Sequence, residues 1–584
     1  MSVATANTAQ ARSLIALLAD SGVAHAVVSP GSRNTPILLA LQHHSEIKIH
    51  VILDERTAGF FALGLARASG SPVILSCTSG SAGAHYLPAV IEAFHSRVPL
   101  ILLTANRPHE LHDAGAPQTV AQDRFFEGFV RYYRQLNVPG DGTPTEMIRG
   151  VVAQAMRAGM GRPNGPVHLD CPFREPLWSK TGTPLTDNQH QTAISRTRCA
   201  PLPSQEKISQ ITERLKSVSR GALVVGPLNN CSDINEATHD LARRLGWPII
   251  AEPTSSIRAH ESDEESLLVT AADAIVRSEH FTEKHSPELI FRVGPVPTSK
   301  QIAHWAATVP CLLLEEAGST LDPTHSVIEV IEGAPAKVLE AIASNLPMSP
   351  KRGDWLTFWK TANSTAQKQI NTTCDDGFWE GTIARSVMKS LPDNAMLHVA
   401  SSMPIRDLGS FGGARRRALT IYSSRGANGI DGTIATALGE AHIHDGPALL
   451  ICGDLAFLHD IGSLVTSKNS DTRLIVLVID NSGGGIFHAL PISDHKEVFE
   501  QLFVTPQNID ISALCNGAGI DNVEVSSANE LESAIERAIT PTEAKGSVCV
   551  ITAKVSRAFS VERRSRAFAT VETALSQRSE GGLL

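Results

Sequence analysis

Short runs of consecutive apolar residues, each closed by Gly, Pro, Asp or another polar residue, recur along the whole chain and constrain its fold more than any other feature. Up to about residue 180 they are "AHAVVSPG", "IHVILDE", "PVILSCTSG", "PLILLTANRP" and "GPVHLDCP". A run that is apolar on both faces belongs in the middle of a sheet with both sides covered, which is how parallel sheets flanked by helices are built. The stretches between the runs carry helical spacing. In "DERTAGFFALGLARASG", Ala58, Phe61, Ala62 and Leu65 stand at i, i+3, i+4 and i+7, one face of a helix. The pattern returns with "GALVVGPL", "GWPIIAEP", "ELIFRVGP" and "CLLLEEAG", and again with "AMLHVASS", "LTIYSSRG", "ALLICGDL", "RLIVLVIDN" and "GSVCVITAKV". The expected class is α/β, built from doubly wound parallel sheets.

Length turns this pattern into domains. At 584 residues the chain exceeds one hydrophobic core, and roughly 100–200 residues per domain gives about three to five. Residues 172–205, rich in Pro, Ser and Thr, and "ASNLPMSPKRGDW" at 343–355 read as linkers. Three regions follow, 1–185, 200–350 and 365–584, and the final "SQRSEGGLL" reads as loose. No short-period repeat is present, which excludes solenoids and propellers.

The net charge of −9 is spread without blocks, so there is no electrostatic footprint for nucleic acid. Nine cysteines stand singly with no C-x-x-C pair, which disfavours a disulfide framework or a zinc cage and fits a reducing cytoplasm. The start "MSVATANTAQARS" lacks a signal-peptide pattern, and no apolar run approaches the ~18 residues of a membrane span. A cytoplasmic protein without nucleic-acid or membrane partners is expected.

In doubly wound domains, ligands sit beyond the carboxyl ends of the strands. "ALLICGD" ends in Gly453 and Asp454; "RLIVLVIDN" ends in Asp480 and Asn481, followed by Ser482, Gly483, Gly484 and Gly485. The 26 residues between Asp454 and Asn481 allow a crossover that returns parallel. Adjacent strands would then present a carboxylate and an amide oxygen at one edge, hard ligands suited to Mg²⁺, which keeps substrate phosphates among its ligands. The glycines would let a backbone carbonyl join and a diphosphate approach. A plain turn uses the same residue types, so composition alone leaves both readings open.

Gly-Asp followed, 27 residues after the Asp, by Asn resembles the signature of thiamine-diphosphate enzymes. The resemblance implies that Asp454, Asn481 and the Gly483 carbonyl hold Mg²⁺ (or Mn²⁺) on the diphosphate, with Gly453 and Leu455 beside it. The chain departs from the usual pattern at Leu455, where Gly or Ala is common, and at Asp480-Asn481, where Asn-Asn is common. The family also has a Glu at a strand end of its N-terminal domain, whose carboxyl group protonates the cofactor's aminopyrimidine ring. Glu55 stands in that place; taken alone it would read as a helix-start carboxylate. Ile430, in "SSRGANGIDG", matches the bulky residue under the cofactor, and otherwise reads as core. In this superfamily the Glu and the diphosphate site come from different subunits, which implies a homodimer at least and allows a tetramer.

The three regions are similar to the pyrimidine-binding, central and diphosphate-binding domains of pyruvate-oxidase-like enzymes. "SPGSRNTPILLAL", "TSGSAGAHYLPAVIEA", "LTANRP", "GAPQTVAQ" and "SRGANGIDG" together resemble the 2-succinyl-5-enolpyruvyl-6-hydroxy-3-cyclohexene-1-carboxylate synthase family of menaquinone biosynthesis. That implies decarboxylation of 2-oxoglutarate and 1,4-addition of the succinyl carbanion equivalent to isochorismate. Both substrates are dicarboxylates, which guanidinium groups bind bidentately. Ser32, Arg33, Arg107, Gln118, Lys300, Ser402, Arg406 and Arg425 fall on the family's substrate pocket, and Ile486 and Leu490 on its apolar walls. Arg33, Arg107, Gln118, Arg406 and Arg425 join Glu55 as the catalytic set, and Ser402 and Ile486 also border the cofactor. Any one of these cations could instead serve a structural ion pair. Pro117 stands where the family often has Asn. His85, His459 and His488 read mainly as structural histidines. The rival is another thiamine-diphosphate 2-oxoacid decarboxylase or carboligase of acetolactate-synthase type, which needs fewer cations. A non-catalytic relative would lack Glu55 or Asp454, and a nicotinamide oxidoreductase would want G-x-G-x-x-G after its first strand.

Overall fold

The computed structural model describes residues 2–140, 145–178, 193–194, 201–228, 234–255, 257–259, 267–348, 354–415, 418–468, 471–540 and 548–580. Most of the first linker, residues 349–353 of the second, Cys199, Cys231 and the last four residues lie outside the described residues.

Among the described residues the strands form three wholly parallel sheets. The first contains β1 (His25–Val28), β2 (Lys48–Val51), β3 (Val73–Cys77), β4 (Leu100–Asn106), β5 (Tyr132–Gln135) and β6 (Val167–Pro172), in the order β2-β1-β3-β4-β6-β5. The second contains β7 (Gly221–Val225), β8 (Ile249–Ala251), β9 (Leu289–Val293), β10 (Cys311–Glu315) and β11 (Val327–Glu332), in the order β11-β10-β9-β7-β8. The third contains β12 (Ala395–Val399), β13 (Leu419–Tyr422), β14 (Ala448–Gly453), β15 (Leu474–Asp480), β16 (Asp521–Val525) and β17 (Val548–Lys554), in the order β13-β12-β14-β15-β17-β16. Every apolar run singled out in the sequence is a strand. Alternate residues of one strand enter two different cores: Val73 and Leu75 face one, Ile74 the other. This is the doubly wound arrangement expected of two-faced apolar runs.

One core is shared between the first and third sheets, joining Leu75 and Leu102 to Leu450 and Val476. At its centre, helix Glu55–Ser69 crosses helix Thr433–Ile443. Asp54 caps the first helix by accepting from the Arg56 and Thr57 N–H groups at 2.8 and 3.4 Å. Sequence spacing gave this helix one buried face, but every residue from Thr57 to Arg67 is buried, because the partner helix covers what the sheet does not. Glycine inside a helix costs stability. Here the crossing demands it: a Cβ on Gly64 would lie 2.1 Å from the Thr436 carbonyl oxygen, and one on Gly439 2.2 Å from that of Phe61. Arg67 spans the crossing, paired with Glu440 at 2.9 Å and Glu92 at 3.3 Å.

Two expectations need correction. The start of the first linker belongs to the first domain, since Phe173 and Leu177 are buried in its core. The stretch from Ser576 to Glu580 is not loose but the end of helix Arg557–Glu580, whose Ala567, Val571 and Leu575 pack beside Trp359 and Trp379. Among the described residues no helix is long and apolar enough to cross a membrane, and the seven described cysteines are unpaired, six of them buried.

Candidate active site

The ends of β14 and β15 bring together buried polar groups from two adjacent strands. Gly453 pairs in register with Ile479, so Asp454 and Asp480 leave the sheet side by side. Asp454 opens helix Asp454–His459; its Oδ1 accepts the Leu455 N–H at 2.8 Å and its Oδ2 the Gly483 N–H at 2.7 Å. Burial pushes its carboxyl up to about 6. Asn481 is also buried, with Nδ2 donating to Glu380 Oε1 at 2.6 Å and Oδ1 left without a partner. A buried acceptor without a partner is costly, and a cation would satisfy it. The Gly483 carbonyl accepts the Gly485 N–H at 2.9 Å and keeps a second lone pair. The carboxylate, the amide oxygen and the carbonyl form an all-oxygen donor set of the kind Mg²⁺ takes. Nothing lies within 4 Å of a Cβ built on Gly453, which leaves space over the strand end.

The three glycines have three separate causes. Gly483 sits at φ +127°, and its Cβ would lie 2.4 Å from the Val504 carbonyl oxygen. A Cβ on Gly484 would lie 2.8 Å from the Phe487 ring, and one on Gly485 2.9 Å from Asn481 Nδ2. Asp480 serves its own loop, accepting the Ser482 N–H at 3.3 Å. Ile486 and Leu490 follow on and beyond the turn Gly485–Ala489, both half-buried. His488, in the same turn, lies edge-on to Phe499, and burial lowers its pKa. His85 and His459 are exposed.

A second group gathers in the first domain. Buried Arg33 donates from Nη1 to the Phe173 carbonyl at 2.9 Å and from Nη2 to Glu175 Oε1 at 2.6 Å; Arg107 Nη1 reaches the same Glu175 oxygen at 3.5 Å. The Nε atoms of both arginines are buried without partners. Ser32 is exposed beside Arg33. Exposed Gln118, at φ +55°, follows exposed Pro117 on a loop that lies over Gly80, whose ideal Cβ would be 3.4 Å from that of Gln118. Glu55 is half-buried at the start of its helix, and its carboxylate makes no hydrogen bond among the described residues. Close by in sequence, Val51 and Leu53 are 66% and 79% exposed.

The third group joins the middle and last domains. Ser402 holds the strained combination φ 73°, ψ −131° before helix Met403–Phe411, and its carbonyl accepts from Arg406 Nη1. Arg425 donates to Ser401 Oγ at 3.4 Å, with its Nε buried and unpartnered. Burial holds both guanidinium groups below their usual pKa, and Glu252 acts on both electrostatically. Glu252 accepts the Thr298 N–H and hydroxyl at 2.9 and 2.6 Å. Lys300 follows two residues later, exposed, with no ion pair among the described residues. Half-buried Ile430 packs on the shared core. Among the described residues no hydrogen bond or ion pair links the Arg33–Arg107 group to Arg406 or Arg425 within one chain. Sequence reasoning missed Glu175, Glu252 and Glu380; Glu252 follows β8 directly, a strand-end position that could have marked it, whereas no local signal marks Glu175 or Glu380, whose partners are distant in the chain.

Known proteins resemble this chain along nearly its whole length. Residues 9–125 match the model of the thiamine pyrophosphate enzyme N-terminal TPP binding domain, residues 178–399 the middle domain of thiamine pyrophosphate enzymes, and residues 407–552 the C-terminal TPP binding domain. Among solved structures, benzoylformate decarboxylase from Polynucleobacter necessarius superposes with a TM-score of 0.68 at 16% identity, over 94% of this chain and 98% of that one, which shows the shared fold. The 2-succinyl-5-enolpyruvyl-6-hydroxy-3-cyclohexene-1-carboxylate synthase of Bacillus velezensis is 38% identical over 84% of this chain and 85% of its own. Those of Geobacillus kaustophilus and Myxococcus xanthus are each 36% identical, over 87% and 98% of this chain and 89% and 99% of their own. With this identity sustained along nearly the whole length, the chain belongs to the 2-succinyl-5-enolpyruvyl-6-hydroxy-3-cyclohexene-1-carboxylate synthase family of thiamine pyrophosphate enzymes.

Proposed function

We infer that the protein uses thiamine diphosphate to decarboxylate 2-oxoglutarate and join the remaining succinyl unit to isochorismate, a carboligase step of menaquinone biosynthesis. The observation that carries the reading is the buried, unpartnered Asn481 Oδ1 beside Asp454 and the glycine run. In this reading Asp454, Asn481 and the Gly483 carbonyl hold Mg²⁺ or Mn²⁺ against the diphosphate, with Gly453, Leu455, Ser402, Ile430 and Ile486 around the cofactor. The bound cofactor supplies the carbon centre that lets a 2-oxoacid lose CO₂ and pass on its remainder. Glu55 holds a proton at the ring nitrogen of the aminopyrimidine. Among the described residues its carboxylate makes no hydrogen bond, and exposed Val51 and Leu53 lie close by in sequence, which supports completion of the site by a second copy in a homodimer.

The arginines set substrate class. Arg33 and Arg107 already hold one carboxylate, that of Glu175, and Arg406 and Arg425 are held partly desolvated, where ion pairing with a dicarboxylate is strong. Ser32, Gln118 and Lys300 add polar contacts, and Ile486 and Leu490 apolar walls. The reading takes 1–185, 200–350 and 365–584 as the pyrimidine-binding, central and diphosphate-binding domains, and places the protein in the cytoplasm. The test is CO₂ release by purified protein with Mg²⁺ and thiamine diphosphate. Turnover of 2-oxoglutarate should be slow alone and rapid with isochorismate; equal turnover of pyruvate without isochorismate would instead support an acetolactate-synthase-like activity.

A further inference from the structure

A side-chain amide has one oxygen face and one NH₂ face, and only the oxygen suits a divalent cation. Which face of Asn481 meets the site is decided behind it. Glu380, 3% exposed, accepts from Asn481 Nδ2 at 2.6 Å. The other oxygen of Glu380 accepts from Arg564 Nη2 at 2.5 Å, and Arg564 is also fixed on buried Asp407, at 2.7 Å from Nη2 and 3.2 Å from Nε. With a carboxylate that only accepts at its back, Asn481 must turn its NH₂ inward and leave Oδ1 free.

Arg564 belongs to helix Arg557–Glu580, and the first residue of that helix grips the same loop. Arg557 Nη1 donates to the Ser482 carbonyl at 2.7 Å, while its Nη2 pairs with Glu500 at 2.7 and 3.0 Å. Arg564 lies seven positions after Arg557, about two helical turns, so both can work from one side of the helix. The third glycine of the run fits this arrangement, because a Cβ on Gly485 would lie 2.9 Å from Asn481 Nδ2 and 3.7 Å from Glu380 Oε1.

We propose that Glu380, Arg564 and Arg557 are positioning residues through which the C-terminal helix sets the polarity and place of the cation-binding loop. The inference rests on the reading that Asp454, Asn481 and Gly483 hold the cation.

The test is titration of the full-length protein with Mn²⁺ at saturating thiamine diphosphate, read by electron paramagnetic resonance, with circular dichroism to confirm folding. In Glu380→Gln, Arg564 claims the new amide's oxygen, its NH₂ faces Asn481, and the Asn481 amide turns over; Mn²⁺ affinity should fall about tenfold or more. Adding Arg564→Met frees the glutamine to reorient, so the double variant should bind Mn²⁺ about threefold or more tightly than Glu380→Gln alone, within the range of such outer contacts. A purely structural role would not produce that rescue. Wild-type affinity in Glu380→Gln, or a double variant no better than the single, overturns the proposal. Should Glu380→Gln fail to fold, half-buried Arg557→Met decides: an affinity about threefold weaker supports the clamp and an unchanged one overturns it. Asp454→Asn separates the two ideas. If it binds Mn²⁺ like wild type, the cation-site reading itself fails; if it loses Mn²⁺ while Glu380→Gln keeps it, only the positioning proposal fails.

Discussion

The first and third sheets share one strand order, in which the second strand lies outside the first and the sixth lies inside the fifth, yet their strand ends carry different chemistry. In the third sheet, β14 and β15 end in a cradle of backbone N–H groups, a buried carboxylate and an unpartnered amide oxygen. In the first sheet the corresponding third and fourth strands, β3 and β4, end in polar loops tied to one another. The helix after β2 instead opens with Glu55, whose carboxylate makes no hydrogen bond among the described residues. The helix after β13, at the same place in the third sheet, opens on Gly432 and bears no carboxylate in its first turn. In the proposed mechanism, one architecture used twice thus supplies a gripping surface in one copy and a proton partner in the other. Topology fixes where ligands can be met, and the residues at the strand ends decide what is done there.

The largest effect is expected where the two copies divide their work. Glu55→Gln should lower turnover by about 10²–10⁴-fold while thiamine-diphosphate affinity changes little, because it alters a proton partner and no part of the cradle. Parallel measurement of kcat and of cofactor binding by fluorescence titration checks this; loss of cofactor binding in the variant would break the division. Next comes the crossing that joins the copies. Gly64→Val and Gly439→Val each push a side chain into backbone 2.1–2.2 Å away and should each cost about 3–5 kcal/mol, read as a shifted urea midpoint. Equal costs would show one shared core; a loss confined to one domain's unfolding transition would show two independent ones.

The smallest effect concerns acid. His25, His50 and His442 meet where β1 and β2 touch the end of helix Thr433–Ile443, with His25 Nδ1 3.1 Å from His50 Nε2 and Lys48 Nζ 2.7 Å from His442 Nε2. Burial, with the neighbouring cations, pulls His50 down to about 3 and His442 to about 4, and lowers His25; only Asp471 opposes this at His442. The unfolded chain therefore takes up protons near pH 6.5 that the folded protein resists. This contribution is fully present above about 6.5 and is lost as pH falls towards 4. Because the rings are half-exposed, a loss of about 1 kcal/mol is expected between these limits after allowance for screening. Melting temperature against pH should show it, and His50→Gln with His442→Gln should flatten the slope; coinciding slopes would place the acid response elsewhere.

Legibility followed burial. The central strands could be read because both faces are covered and most of their residues are apolar, Arg292 in β9 and Asp170 in β6 being among the buried exceptions. The three strands that sequence reasoning missed, β5, β11 and β16, are all sheet edges with mostly half-exposed or exposed residues, so they carry no continuous apolar run. Asp454 and Asn481 stood out because each ends such a run, whereas the carboxylates that hold the proposed site together did not. Glu175 lies 142 residues from Arg33, and Glu380 lies 101 residues from Asn481.

The sequence alone determined the class of the fold, the two strand ends that face each other and the need for small residues after Asn481, since these follow from local periodicity and backbone freedom. Only the tertiary structure decided why each of the three glycines is required, which carboxylate occupies the Arg33–Arg107 pair and which face Asn481 shows. Those outcomes depend on hydrogen bonds and close contacts between segments far apart in the chain, and such contacts leave no pattern in neighbouring residues.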